Sequence, residues 1–241
     1  MDIQTSPDAK TAAQKAATAL SEAVASYKDQ PVLFLCSGGS SLGVLPLIKT
    51  DIFGANTTIG MTDERFSTDP AINNFLQLSQ VQFYKDITAR GAAHFDGVPQ
   101  NGEELEAMGK RYDAFLKTWH KDHENGKIVV LLGIGPDGHT AGMMPYPEDE
   151  RAFGFLFEDG DVWAVGYDAG NKNQYPKRVT ITMPVLRRTD MVVTYACGEN
   201  KKNALTQALT AGEFYKLPAR IMRDLPHCLL CTDQEVGKVK L

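Results

Sequence analysis

Two residues that can transfer protons, Asp137 and His139, lie in a segment rich in glycine and proline, residues 133–139. Histidine titrates near neutral pH and can serve as a general base or a general acid. The segment follows a charge-free run, residues 128–132, that is rich in β-branched residues and too short for a typical helix. The pattern predicts a titratable pair at the carboxyl end of a buried parallel strand, where open α/β sheets bind ligands. A purely structural turn, with Asp137 capping the next helix, would explain the same residues equally well.

A loop of small residues, SGGSS at residues 37–41, follows a second short apolar run at residues 32–36. Backbone N–H groups at the start of a helix bind anions, and glycine lets an anion approach the backbone closely. Residues 42–48 are predicted to form that helix. The loop matches neither the P-loop nor the dinucleotide-binding pattern. It therefore indicates a phosphate cradle only weakly, and a plain loop explains it as well.

Three charged residues, Asp63, Glu64 and Arg65, come directly after a third apolar run at residues 57–61. We expect them at the same edge of the sheet, because the carboxyl ends of parallel strands lie side by side. A carboxylate and a guanidinium at that edge can take part in catalysis. A solvated loop with a local ion pair is the structural alternative.

Two further cations stand out by their positions. Arg178 lies in an alternating segment, residues 177–184, that ends at a proline and predicts a strand. Lys201 precedes a helix predicted from about residue 202 to residue 209, where the helix dipole disfavours a positive charge. A cation in that position indicates a neighbouring anion.

Short apolar strands alternate with helical segments along the whole chain. This alternation predicts an α/β fold with a mostly parallel sheet and helices on both faces. No linker rich in Pro, Gly or Ser divides the sequence, so residues 1–241 are predicted to form a single domain. The three loops described above then converge on one crevice at the sheet edge, together with Arg178 and Lys201.

The composition is that of an ordinary globular protein of 241 residues, 43% of them hydrophobic and 23% charged, with a formal net charge of −5. The negative charge argues against nucleic acid or an anionic membrane as the main partner, but it leaves a small anionic ligand open. No apolar run approaches the roughly 18 residues of a membrane span, and the first residues lack the apolar core of a signal peptide. We therefore expect a cytoplasmic protein that binds neither membranes nor nucleic acid.

Two sets of potential metal ligands have simpler explanations. Cys228 and Cys231 have CxxC spacing, but a strand sends residues i and i+3 to opposite faces, and no second CxxC occurs. His120 and His123 lie near the end of a predicted amphipathic helix, where the dipole favours cations. The sequence thus predicts structural cysteines and no metal site.

Five motifs occur in an order and at a spacing that resemble the 6-phosphogluconolactonases, which are relatives of the glucosamine-6-phosphate deaminases. They are SGGS at 37–40, DER at 63–65, GIGPDGHTA at 133–141, RVTITMP at 178–184 and GENK at 198–201. The match runs from about residue 32 to residue 232. The GxGPDGHTA segment is specific for this superfamily, and five motifs in order carry more weight than any one of them.

The resemblance implies a Rossmann-like α/β fold and hydrolysis of 6-phospho-D-glucono-1,5-lactone to 6-phospho-D-gluconate, without a cofactor. The implied partner is a small sugar-phosphate lactone, and we expect a monomer or a small homo-oligomer. Carried over to this chain, the phosphate would be held by Gly38, Gly39, Ser40, Arg178 and Lys201, and the lactone would be surrounded by Asp63, Arg65, Asp137 and His139.

The chemistry of ester hydrolysis is consistent with these implied roles. His139 would be the base that activates water and the acid that protonates the leaving ring oxygen. Asp137 would orient His139 or shape the turn. Arg65 would stabilise the developing oxyanion or pair with an acid.

The chain also departs from the pattern it resembles. The family usually has Val-Pro after DERx and a Ser-Asn pair soon after, whereas this chain has Ser67-Thr68 and Asn73-Asn74. After His-Thr-Ala, the usual Ser-Leu-Phe-Pro is replaced by GMMP at residues 142–145.

Two other functions remain open. Deaminases or isomerases of amino-sugar phosphates typically carry a glutamate five positions after the histidine, where this chain has Met144, whose thioether cannot relay protons. A non-catalytic sugar-phosphate-binding protein would keep Arg178 and Lys201 but could lose His139.

Overall fold

The strands of the protein form two sheets in a computed structural model, which describes residues 1–237. Within these residues the strands are β1 (Asp2–Thr5), β2 (Val32–Cys36), β3 (Thr57–Met61), β4 (Asp63–Arg65), β5 (Ala93–His94), β6 (Lys127–Gly133), β7 (Ala164–Asp168), β8 (Lys177–Ile181), β9 (Met191–Tyr195) and β10 (Cys228–Thr232). The main sheet has seven strands in the order β1-β10-β9-β6-β2-β3-β5, and every pairing in it is parallel. The predicted mostly parallel sheet is therefore confirmed.

Helices cover both faces of the main sheet. They are α1 (Ala9–Ser26), α2 (Asn74–Gln80), α3 (Gln82–Ala89), α4 (Leu105–Asp122), α5 (Glu150–Phe157), α6 (Met183–Leu186) and α7 (Lys202–Ala208). Strand β2 shows why two layers form, since Phe34 packs in the apolar cluster under α1 while Leu33 and Leu35 pack in the cluster under α4. Successive side chains of a strand point to opposite faces, so an unbroken apolar run supplies both cores.

A second sheet of three antiparallel strands, in the order β4-β8-β7, is attached at the carboxyl end of β3. Thr62, which links β3 to β4, donates its N–H to Cys36 O at 2.9 Å and accepts the N–H of Ile181 at 2.9 Å. The chain therefore turns directly from the parallel sheet into the small one. We call β4 and β8, residues 63–65 and 177–181, the antiparallel ribbon.

The ribbon was not anticipated as a separate unit. Strand β8 lies inside the alternating segment that predicted a strand, but it pairs with β4 rather than with the main sheet. The helix predicted at residues 42–48 also differs, since this segment belongs to a 3₁₀ helix, Gly39–Leu47, that contains Pro46. Proline lacks an N–H and cannot complete an α-helical ladder there.

The longest helices, α1 and α4, have 18 residues each and carry charged side chains. Across residues 1–237, no helix has both the length and the apolar character that crossing a bilayer requires.

Candidate active site

The carboxyl ends of β6, β2 and β3 lie side by side, and the loops that follow them enclose a cavity of about 150 Å³. The antiparallel ribbon and Lys201, just before α7, complete its wall. Every site residue predicted from the sequence lines this cavity except Asp137, which reaches it through its bond to His139. The lining consists of Ser37, Gly38, Gly39, Ser40, Ser41, Asp63, Arg65, Asn74, Gly133, Ile134, Gly135, Pro136, His139, Ala141, Gly142, Arg178 and Lys201.

His139 is oriented by bonds within its own turn. Its Nδ1 lies 2.5 Å from Asp137 Oδ1, and the same oxygen accepts the backbone N–H of His139 at 3.2 Å. The N–H of Gly135 closes the turn by donating to the carbonyl oxygen of His139 at 2.8 Å. A neutral imidazole in this bond carries its proton on Nδ1, which leaves Nε2 as an acceptor for a proton from water.

The carboxyl of Asp137 is kept in its ionised form by this arrangement. Burial opposes its ionisation, but the hydrogen bonds and the charge interaction with His139 outweigh burial. The pKa of Asp137 therefore lies below its ordinary value, and the carboxylate is available to stabilise a protonated imidazole.

The histidine turn, residues 133–142, leaves least room for a side chain at Gly135 and Gly138. A Cβ at residue 135 would overlap the ring of His139 and the Oδ1 of Asp137. A Cβ at residue 138 would overlap Leu217, and Gly138 has a φ of +82°, which favours glycine. The glycines thus permit the contact between the carboxylate and the imidazole.

A buried ion pair forms another part of the wall. Arg178 Nη1 donates to Asp63 Oδ2 at 2.8 Å, and the two side chains are 4% and 10% exposed. The register of the antiparallel ribbon pairs Asp63 with Thr180 and Arg65 with Arg178. Asp63 and Arg178 are therefore diagonal neighbours across the two strands, and their side chains meet. A buried charge is tolerated only when it is paired and hydrogen-bonded, which this contact achieves.

Arg65 lies opposite Arg178 in the ribbon but has different partners. Its guanidinium carbon lies 4.6 Å from the centre of the Tyr175 ring, and its Nη1 donates to Ile72 O at 3.3 Å. Among residues 1–237, no carboxylate forms an ion pair with it. Its positive charge is therefore not neutralised by a neighbouring acid.

Lys201 extends from the segment just before α7 toward the histidine turn. Its Nζ donates to the carbonyl oxygen of Ile134. Burial lowers the pKa of Lys201, although the nearby charge of Asp137 acts in the opposite direction. A half-buried ammonium of this kind favours an anion beside it, because the opposite charge replaces the stabilisation by water that burial removes.

The loop of small residues is tied to the neighbouring strand ends through Ser37. Its hydroxyl lies 2.8 Å from Thr62 Oγ1 and accepts the N–H of Gly133 at 3.1 Å. Gly39 has a φ of +63°, which favours glycine, and Gly38 packs directly on the side chain of Asn74. At its two glycines the loop can present backbone to the cavity without side-chain bulk, as an anion cradle requires.

Sequence reasoning assigned no role to Asn74, which lines the cavity, or to Glu64, which accepts the backbone N–H of Asn74. Asn74 Nδ2 donates to Asp63 O at 3.0 Å, while the two carboxyl oxygens of Glu64 accept the N–H groups of Asn74 at 3.0 Å and Phe75 at 2.5 Å. Burial, with the charge of Asp63, raises the pKa of Glu64 well above its ordinary value. The Asn73-Asn74 pair signals a helix start, but its reach back to β4 depends on the fold.

The cavity wall contains buried polar atoms that have no hydrogen-bond partner within the described part of the chain. These atoms are Ser41 Oγ, Arg65 Nε, Asn74 Oδ1 and Arg178 Nε. Buried polar groups are nearly always hydrogen-bonded in native proteins. Such a group of unpaired atoms in one cavity indicates a polar ligand.

Comparison with known proteins identifies the family. The chain belongs to the family described as glucosamine-6-phosphate isomerases/6-phosphogluconolactonase, whose model matches residues 7–229. Among curated relatives, it is 29% identical over 122 residues to a 6-phosphogluconolactonase from Streptomyces coelicolor, covering 49% of this chain and 44% of that protein. It is 27% identical over 146 residues to glucosamine-6-phosphate deaminase 1 from Giardia intestinalis, covering 58% and 55%. The matched stretch thus spans about half the length of these relatives.

Solved structures confirm the fold. The 6-phosphogluconolactonase from Trypanosoma brucei superposes with a TM-score of 0.72 at 21% identity, covering 96% of this chain and 95% of that one. A monomeric glucosamine-6-phosphate deaminase gives the same TM-score of 0.72 at 19% identity, covering 98% of both chains. Both kinds of enzyme share this architecture, so the fold does not distinguish between them.

Proposed function

We propose that this chain hydrolyses 6-phospho-D-glucono-1,5-lactone to 6-phospho-D-gluconate. One observation carries the proposal: the imidazole of His139, bonded to Asp137, opens on the same cavity as Arg65, Arg178 and Lys201. A base beside several cations suits a substrate that combines a phosphate with an ester carbonyl.

The phosphate is assigned to Arg178, Lys201 and the backbone of Gly38, Gly39 and Ser40. Arg178 and Lys201 can form charge-assisted bonds with phosphate oxygens, and the loop can add N–H donors that carry no side-chain bulk. Burial lowers the pKa of Lys201, and a phosphate beside the ammonium would offset this unfavourable effect on its charged form. With the phosphate bound there, the lactone end of the sugar lies next to the histidine turn.

Hydrolysis then proceeds in two proton transfers through one imidazole. His139 Nε2 removes a proton from water while the water oxygen attacks the lactone carbonyl carbon, which gives a tetrahedral intermediate with an anionic oxygen. The bond from that carbon to the ring oxygen breaks, and the imidazolium returns its proton to the ring oxygen. Asp137 stabilises the imidazolium, and Arg65, whose charge no neighbouring acid neutralises, stabilises the anionic oxygen.

The deaminase alternative lacks a group in the position it needs. Met144, which occupies the place of the deaminase glutamate, is fully buried in the apolar core and does not line the cavity. The non-catalytic alternative does not account for the 2.5 Å contact between Asp137 and His139, which phosphate binding alone does not require.

A pH-stat assay tests the proposal, because each lactone opened releases one proton. We expect the wild-type protein to accelerate opening of freshly prepared 6-phosphogluconolactone well above its spontaneous rate. Unphosphorylated gluconolactone should react with a kcat/KM about 10²-fold lower, since it cannot form the charge-assisted bonds. Ammonia release from glucosamine 6-phosphate, or binding of 6-phosphogluconate without any turnover, would instead support one of the two alternatives.

A further inference from the structure

The geometry points to Tyr175 as a positioning residue that holds the Arg65 guanidinium beside the reacting lactone. This inference rests on the proposed function, in which Arg65 stabilises the anionic oxygen. Tyr175 lies outside the five motifs found in the sequence and does not line the cavity itself. Its ring acts on the reaction only through Arg65.

The contacts of Arg65 show how much depends on this ring. The guanidinium carbon lies 4.6 Å from the ring centre, which is within the range of a cation–π contact. The other contact is a single bond from Nη1 to Ile72 O at 3.3 Å, and Nε has no partner within residues 1–237. Arg178, by comparison, is held by a 2.8 Å bond to a buried carboxylate.

An aromatic ring is well suited to hold a cation that must stabilise an anion. A carboxylate in the same place would neutralise the guanidinium and compete with the oxyanion for its N–H groups. The face of a tyrosine attracts the guanidinium without occupying those N–H groups. Arg65 thus keeps its charge and the donors other than the one bonded to Ile72 O for the substrate.

The side chain of Arg65 also borders a second cavity. This second cavity, of about 240 Å³, is lined by both Arg65 and Tyr175. Loss of the ring would enlarge this second cavity, and the guanidinium could then turn away from the catalytic one. A displacement of about 1 Å in a catalytic group can cost about 10²-fold in rate.

Tyr175 is itself well fixed for this role. Its N–H donates to Asn173 Oδ1 at 3.0 Å, and the next residue, Pro176, accepts the N–H of Ala169 at 2.9 Å. Strand β8 begins directly afterwards and pairs with the strand that carries Arg65. The ring and the guanidinium are thus attached to the two paired strands of one ribbon.

The test compares Tyr175→Phe, Tyr175→Leu and Tyr175→Met, each alone and in an Arg65→Ala background, by steady-state lactone hydrolysis. Phenylalanine keeps the ring face, so we expect wild-type kinetics. Leucine and methionine should lower kcat by about 10- to 100-fold with little change in KM. In the Arg65→Ala background, the same substitutions should have no further effect, because the group they position is absent. Two apolar variants are included because the test needs only one of them to fold.

The outcomes separate this inference from the proposed function. Wild-type hydrolysis with Leu and Met variants that keep the wild-type kcat would overturn the role of Tyr175 alone. Equal losses with and without Arg65, or a loss in the Phe variant as large as in the Leu variant, would do the same. Absence of any hydrolysis by the wild-type protein would overturn the proposed function, and this inference with it.

Discussion

The histidine turn and the antiparallel ribbon form two walls of one cavity, and they are stabilised in different ways. In the turn, His139 is bonded to Asp137 and to Gly135, which are two and four residues away in the chain. In the ribbon, Arg178 is bonded to Asp63, 115 residues away. In the proposed mechanism, the turn places the residue that transfers protons, whereas the ribbon places fixed charges.

Because they are stabilised differently, substitutions in the two walls should have different effects. The turn contributes geometry over a few residues, so a change there should reduce turnover and leave the rest of the protein intact. The ribbon contains buried charges that depend on each other, so removal of one leaves the other unpaired. A change there should reduce both stability and binding.

The largest expected effect is on turnover, from His139→Asn in the histidine turn. Loss of a positioned general base typically costs on the order of 10²–10⁴-fold. We expect kcat for 6-phosphogluconolactone to fall by about that factor, while calorimetric binding of 6-phosphogluconate stays nearly unchanged. His227→Asn is a matched control, since this exposed histidine precedes β10 at the opposite end of the sheet.

Two results would contradict this assignment. A folded His139→Asn protein with wild-type turnover would show that His139 is structural. A variant that loses product binding together with rate would show that His139 is a binding residue, and Asp63 or Asp137 would become the better candidate base.

The second prediction concerns the ribbon, where Arg178→Ala should cost stability as well as binding. It leaves the carboxylate of Asp63 buried without its partner, and breaking one side of a buried pair costs about 3 kcal/mol. Urea unfolding should show this loss, and the KM for the phosphorylated lactone should rise. Arg151→Ala, at an exposed position of α5, is the control. A loss below about 1 kcal/mol, typical of a surface pair, would mean that the pair is not effectively buried.

The third prediction returns to the turn, where Gly135→Ala should lower kcat by about 10-fold or more. The new methyl group would overlap the His139 ring and Asp137 Oδ1, so one of them must move. Gly160→Ala is the control, because a Cβ there meets no atom within 4 Å. Comparison of kcat and unfolding free energy for both variants checks the prediction. Unchanged kcat in Gly135→Ala would show that the Asp137–His139 contact is not needed for turnover.

The two walls also differ in how well the sequence predicts them. The turn could be predicted because Asp137, His139 and their glycines are neighbours in the chain, and a strand before them fixes their place at the sheet edge. The ribbon could not, because the pairing of Asp63 with Arg178 depends on the register of β4 against β8. Nothing in the local pattern distinguishes a strand of the main sheet from one of a separate ribbon.

The same limit applies to the contacts that complete the site. The sequence identified Arg65 but not Tyr175, because their contact depends on the ribbon. It predicted a helix after the small-residue loop, since apolar periodicity does not separate an α-helix from the 3₁₀ helix that forms there. The residue types and the alternation of strands with helices could be predicted from the sequence, whereas the partners brought together by strand register could not.

The smallest expected effect is the pH dependence that Asp137 contributes to stability. The pKa of Asp137 is below its ordinary value of 3.8, because its bonds to His139 outweigh the opposing effect of burial. A lowered carboxyl pKa stabilises the folded state above the ordinary pKa, and this contribution is lost as the pH falls through the folded value. The difference in unfolding free energy between wild type and Asp137→Asn should therefore shrink as the pH is lowered from about 5 toward 3, in urea titrations at each pH. In a His139→Asn background the shrinkage should be smaller, because the imidazole that lowers the pKa is gone. A shrinkage of the same size in the His139→Asn background would show that Asp137 is bonded to the turn mainly through backbone N–H groups, as a structural residue rather than as the partner of the imidazole.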